Sequence, residues 1–125
     1  MLKKVLSLSV LPLLLAGCTA TFTNLTPRQQ FRNANALYPV EVSFNSRQQS
    51  LQWNTIHAQI AVGAEVYPMH PTLLLSNRWE GLVPVPAGVG AVKYHYKFDF
   101  MQNEFGPPSQ NSAGSKNYVL HILEP

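Results

Sequence analysis

The chain has 125 residues, 46% of them hydrophobic and only 12% charged, with a formal net charge of +3. That length holds one ordinary domain with a single core, not two. Two basic residues, Lys3 and Lys4, lie in the first few positions; the remaining seven (Arg28, Arg32, Arg47, Arg78, Lys93, Lys97 and Lys116) face six acidic ones and form no cluster, so the electrostatic footprint of a nucleic-acid binder is missing.

Lys3 and Lys4 precede an apolar run from Val5 to Gly17, the basic and apolar regions of a secretory signal. As a helix this run covers ~20 Å, short of the ~30 Å hydrocarbon core of a bilayer. Residues 1–17 therefore read as an export signal and not as a stable span. The run ends in Leu15-Ala16-Gly17-Cys18, and Cys18 is the only cysteine. This ending resembles the lipobox of bacterial lipoproteins. The resemblance implies diacylglycerol on the Cys18 thiol, cleavage before Cys18 and acylation of the new amine. The chemistry suits the residues: Ala16 and Gly17 leave an unhindered backbone for a protease, and a thiol is readily made into a thioether. Two or three acyl chains, at ~0.8 kcal/mol per buried methylene, hold a protein on a bilayer almost permanently. Thr19 stands where many lipoproteins kept at the inner membrane have aspartate. The resemblance thus implies the outer membrane in a cell that has one, and otherwise the outer face of the cytoplasmic membrane.

Residues 18–125 form the mature domain, and no segment of it has a helical period. In chain order, strands are expected at 21–25, at 38–44 (Val40, Val42 and Phe44 inward), at 50–53 (Leu51 and Trp53 on one core-facing side) and at 56–62 (Ile56, Ala58, Ile60 and Val62 inward). More follow at 65–67, 73–79 and 81–85, then the clearest at 91–101, where Val92, Tyr94, Tyr96, Phe98 and Phe100 share one face; 117–123 is the last. Pro84 and Pro86 belong on an edge or at a strand end, with Gly88 or Gly90 turning a hairpin into the long strand. Roughly seven to nine short strands without a covering helix predict an all-β, antiparallel β-sandwich. The front segment and the Pro-Gly turn resemble immunoglobulin-like modules of bacterial surface proteins, although the paired cysteines of antibody domains are missing; a transthyretin-like sandwich fits as well. The first strand begins at Ala20 or Phe22, so about 10 Å of extended chain joins it to Cys18. The domain should sit against the membrane surface.

The residues offer little chemistry. Asp99 is the only aspartate, and His95, four positions away on the same strand, lies ~13 Å from it. No nucleophile elbow, phosphate-binding glycine loop or zinc-protease helix is present, so no catalytic residue, cofactor or metal is expected. Four histidines, His57, His70, His95 and His121, are potential ligands. With Phe98 opposite Tyr118 in a final hairpin, His95 falls opposite His121; a shift of two residues puts Lys97 there. Such a pair makes only a partial metal site. Met69 and His70 are soft ligands in a proline-braced turn, but a blue-copper site also needs a thiolate. Trp79, flanked by Arg78 and Glu80, is a core residue or, if exposed, a partner contact. The segment 102–117 exceeds a tight turn and is expected to be a mobile loop with Phe105 as a docking anchor. The sequence thus points to a non-catalytic accessory lipoprotein of the cell envelope with a protein partner. A glycan- or small-ligand-binding lipoprotein using Trp79 and tyrosines is the alternative.

Overall fold

The computed structural model describes residues 20–47, 51–103 and 106–124. Leu15, Ala16, Gly17, Cys18 and Phe105 lie outside the described residues. Ten strands follow in order: β1 (Ala20–Asn24), β2 (Gln29–Phe31), β3 (Leu37–Ser46), β4 (Leu51–Val62), β5 (Glu65–Pro68), β6 (His70–Pro71), β7 (Arg78–Pro84), β8 (Ala91–Gln102), β9 (Ser109–Gly114) and β10 (Tyr118–Leu123). One sheet has the order β1-β3-β7-β6 and the other β2-β10-β8-β4-β5, with β9 also on β8. All pairs are antiparallel except β2 with β10. The fold is a β-sandwich.

Period-two alternation places the core. On β3, Tyr38, Val40, Val42 and Phe44 are buried, and on β8 Tyr94, Tyr96, Phe98 and Phe100 are buried, while Lys93 and Lys97 are exposed. Val92 is half-buried at the start of the same face. The two inner faces meet through aromatic rings: Phe44 and Phe98 have centroids 4.8 Å apart, and the Trp79 ring stands edge-on to Phe98 at 5.0 Å. Trp79 is 6% exposed. That burial removes it as a partner contact, because its position on β7 points between the sheets and not outward.

Elsewhere the backbone departs from simple alternation. Leu51 and Gln52 pair with Gln102 and Met101, but the next pair is His57 with Asp99, so β4 bulges between them. The Thr55 hydroxyl stabilises the bulge, accepting the Met101 N–H at 2.9 Å and donating to the Gln52 carbonyl at 2.6 Å. The bulge turns Trp53 out to 42% exposure, leaving it edge-on to Phe44 at 5.9 Å. Leu51 and Trp53 therefore do not share the core side as expected. Of the strand expected at 73–79 only Arg78 and Trp79 are strand, residues 73–77 forming turns instead; β7 runs from Arg78 through Gly81 to Pro84 and takes in most of the strand expected at 81–85. A Cβ at Gly81 would sit 3.1 Å from Ile60 Cδ1 and from the Pro68 carbonyl oxygen, so this glycine serves a close approach and not a turn. The Pro86–Val89 turn, closed by Val89 N–H to the Pro86 carbonyl at 3.2 Å, carries the chain between sheets; it is not the expected hairpin.

The largest departure is the segment 102–117. It is not a free loop: β9 pairs with β8 from Gln102–Ser109 to Lys97–Gly114. Three steps along β8, from Lys97 to Tyr94, then match four on its partner, from Gly114 to Tyr118. This one-residue bulge is filled by Ser115, whose hydroxyl accepts the Tyr96 N–H at 2.8 Å and whose own N–H donates to the Tyr96 carbonyl at 3.0 Å. The pairing of β10 that follows sets Tyr118 opposite Tyr94 and His121 opposite Ala91. His95 faces Ala61. The cross-strand imidazole pair is not formed, because the β9 ladder pushes β10 toward the start of β8.

Candidate functional site

Strand directions fix what each end of the sandwich carries. β1 starts at Ala20 opposite Ser46, the last residue of β3, and β7 starts at Arg78 opposite Ser43. In the other sheet β4 starts at Leu51 opposite Gln102, the last residue of β8, and β9 starts at Ser109 opposite the same Gln102. The short link from Ser46 to Leu51 places both sheets' starts together. One end therefore gathers the beginning of the domain, the β4 bulge and the outer part of β9.

The opposite end is closed by Arg32. Its guanidinium donates to Glu124 Oε1 at 2.8 and 3.0 Å and to the carbonyls of Val89 and Pro86 at 3.0 and 3.3 Å. The Glu124 carboxylate holds the guanidinium above its ordinary pKa, against some desolvation.

On the first end, β9 lies at the margin of its sheet. It pairs only with β8 among the described residues, so its far edge is open. Its sequence, Ser109-Gln110-Asn111-Ser112-Ala113-Gly114, contains no charge and no proline, the two devices that ordinarily block edge pairing. Ser112 N–H is capped by the neighbouring Asn111 Oδ1 at 2.8 Å, and Asn111 Nδ2 donates to Gln102 Oε1 at 2.7 Å. No hydrophobic period marks this strand. Only its position after a long amphipathic strand and a Gly106-Pro107-Pro108 turn signals a hairpin return.

Beside β9 the fold sets His57, Asp99 and Ser112 in one row across β4, β8 and β9. The residue types are those of a hydrolase triad, but the order is wrong. Asp99 stands in the middle, which puts His57 and Ser112 two strand spacings apart, ~9.6 Å between backbones, whereas a triad needs the imidazole between the other two. No ion pair joins His57 to Asp99. Among the described residues no three His, Cys, Asp or Glu side chains gather as a metal site. Met69 is buried and His70 exposed, where the chain crosses from β5 to β6.

A second feature is a phenol network between the sheets. Asn24 Nδ2 donates to the Tyr94 hydroxyl at 2.9 Å, the Tyr96 hydroxyl donates to Asn24 Oδ1 at 2.6 Å, and Thr26 Oγ1 lies 3.1 Å from the Tyr96 hydroxyl. Burial pushes the Tyr96 phenol far above its ordinary pKa, with the Thr26 hydrogen bond opposing the shift. Tyr118 is raised as well, first by burial and then by Tyr94. The network opens into a cleft of about 560 Å³ lined by Asn24, Tyr94 and Tyr118 together with Arg28, Lys116 and His121. The Lys116 ammonium lies 5.7 Å from the Tyr118 ring centroid. No protein-family model, no curated protein and no solved structure matches the chain.

Proposed function

We propose that the chain is an exported lipoprotein, anchored through Cys18, whose immunoglobulin-like domain is a non-catalytic accessory module that holds a protein partner at the envelope membrane. The outer membrane is its site in a cell that has one. The observation that carries the partner reading is the open, uncharged edge of β9, on the same end of the molecule as Ala20. Such an edge offers main-chain hydrogen bonds to an added strand, and Ser, Gln and Asn side chains set its register. Support for the immunoglobulin-like topology comes from the strand order. It reads as A-B-E-D against A′-G-F-C-C′ when β3, β7, β8 and β10 are taken as B, E, F and G. The anchor reading rests on the lipobox residues and on β1 beginning two residues after Cys18. A photo-crosslinking residue at Gln110 should trap a stoichiometric envelope protein in solubilised membranes, and one at Leu82 on the other sheet should not. Equal trapping at both positions would remove β9 as the contact. Cys18→Ser should abolish labelling by radioactive palmitate, and retained labelling would end the anchor reading.

A second reading, a small anionic ligand in the tyrosine cleft, is favoured by Arg28, Lys116 and His121 around the Tyr94–Tyr118 pair. Saturable binding of an acidic sugar or phosphate compound, lost in Lys116→Glu, would support it. With Trp79 buried, that reading no longer has Trp79 as its platform.

A further inference from the structure

Between β6 and β7 three consecutive leucines face solvent. Leu73 is 87% exposed, Leu74 102% and Leu75 44%. They are not a dangling loop. Leu75 N–H donates to the Thr72 carbonyl at 3.2 Å and Thr72 N–H to the Arg78 carbonyl at 2.9 Å, so the backbone itself holds the side chains out. Leu74 has φ of 66°, in the left-handed region that glycine or asparagine fills at little cost and leucine does not. Maximal exposure of an apolar side chain on an unfavourable backbone serves neither folding nor solubility. Such outliers collect at sites of contact.

Position identifies the contact. The Phe44 N–H donates to the Asn77 carbonyl at 3.0 Å, and Asn77 Nδ2 donates to Ser43 Oγ and Asn45 Oδ1, each at 3.2 Å. Asn45 pairs with Thr21, next to Ala20. The leucine turn therefore lies at the end where the domain begins, and Cys18 is at most about 7 Å of extended chain before Ala20. Arg47, exposed just after β3, and Trp53, turned out by the β4 bulge, belong to the same end. Leucine, tryptophan and arginine gathered at one end are the residue types of a membrane interface.

We propose that the Leu73–Leu75 turn inserts into the acyl layer of the leaflet that carries the Cys18 lipid, giving the domain a second hold on the membrane and one fixed orientation. This rests on the anchor reading for the choice of leaflet. On the anchor reading, a convex turn of aliphatic tips at the end of the domain where the chain emerges from Cys18 meets hydrocarbon before it can meet a protein. The orientation that results leaves the β9 edge along the side of the domain, open to a partner on the same membrane.

The test uses the full chain in phosphatidylethanolamine–phosphatidylglycerol vesicles. Leu74→Cys and Phe31→Cys, the latter exposed at the opposite end, each carry a polarity-sensitive thiol dye, with peptide mapping to show which cysteine bears it. The dye at position 74 should shift to the blue and be quenched by brominated acyl chains several-fold more than the dye at position 31. Equal quenching, or equal access of both dyes to aqueous iodide, overturns the proposal. Leu73→Cys repeats the reading at the neighbouring position. The anchor is judged separately, from the mass of the wild-type peptide that contains Cys18. Quenching at position 74 with an unacylated Cys18 keeps the insertion and discards the anchor, and an acylated Cys18 without quenching does the reverse.

Discussion

β8 and β9 lie hydrogen-bonded side by side over six residue pairs, yet different forces hold them. Every second side chain of β8 from Tyr94 to Gln102 is buried, and its aromatic rings meet those of β3 and β7. On β9 no side chain is buried and only Ala113 is partly covered. β8 is a strand because its alternating side chains must leave water. β9 is a strand because β8 presents unpaired backbone groups beside it, and an unmet N–H or carbonyl is costly. One strand is specified by its own residues, and the other is borrowed from its neighbour.

The comparison predicts a descending series of effects. Phe98→Ala removes a fully buried ring and should destabilise the domain by ~3–5 kcal/mol in urea titration; Lys97→Ala, next to it but outward, should barely move the midpoint. Equal losses would mean that side-chain burial does not define β8. Ser115→Ala leaves the Tyr96 N–H at the bulge without its acceptor and should cost about 1–3 kcal/mol, with faster amide exchange at Tyr96. An unchanged exchange rate there would show that the bulge does not hold the two halves of the hairpin together. Alkaline pH should act through β8 and not through β9, which has no titratable side chain, with Tyr118 on β10 adding a smaller part. The folded-state pKa of Tyr96 is raised, so the unfolded chain ionises first. Stability is complete below pH ~10 and falls as pH rises above it, by up to ~1.4 kcal/mol per pH unit for such a group. Tyr96→Phe should flatten that slope, and a slope identical to wild type would assign it to other residues. Ser112→Lys should be smallest, within ~0.5 kcal/mol. A charge on the open edge should nevertheless abolish crosslinking from Gln110.

The same division explains what was legible in the sequence. β3 and β8 could be read residue by residue because burial of one face imposes a period of two on the side chains. β9 could not, because a polar strand carries no record of the backbone that recruits it, and an error there shifted the expected pairing of His95, Lys97 and His121. Trp53 was misplaced by the β4 bulge, which depends on a single Thr55 hydroxyl. The leucines at 73–75 look like strand by composition. Their bounds, Pro71 before and Ser76-Asn77 after, are turn residues and were the available signal. The reason for a glycine at position 81 lies across the sandwich at Ile60 and Pro68, where sequence separation hides it.

Leu74 also has an evolutionary consequence. Exchange for glycine would relax the backbone at a position with φ of 66°, so drift toward glycine meets no resistance from the core. Leucine should persist only while selection for a membrane contact offsets that drift. Descendants of this chain that keep the proposed processing site at Leu15–Cys18 should therefore retain large aliphatic residues in the turn. Lineages that have lost it should collect glycine or asparagine at position 74 before any core position changes.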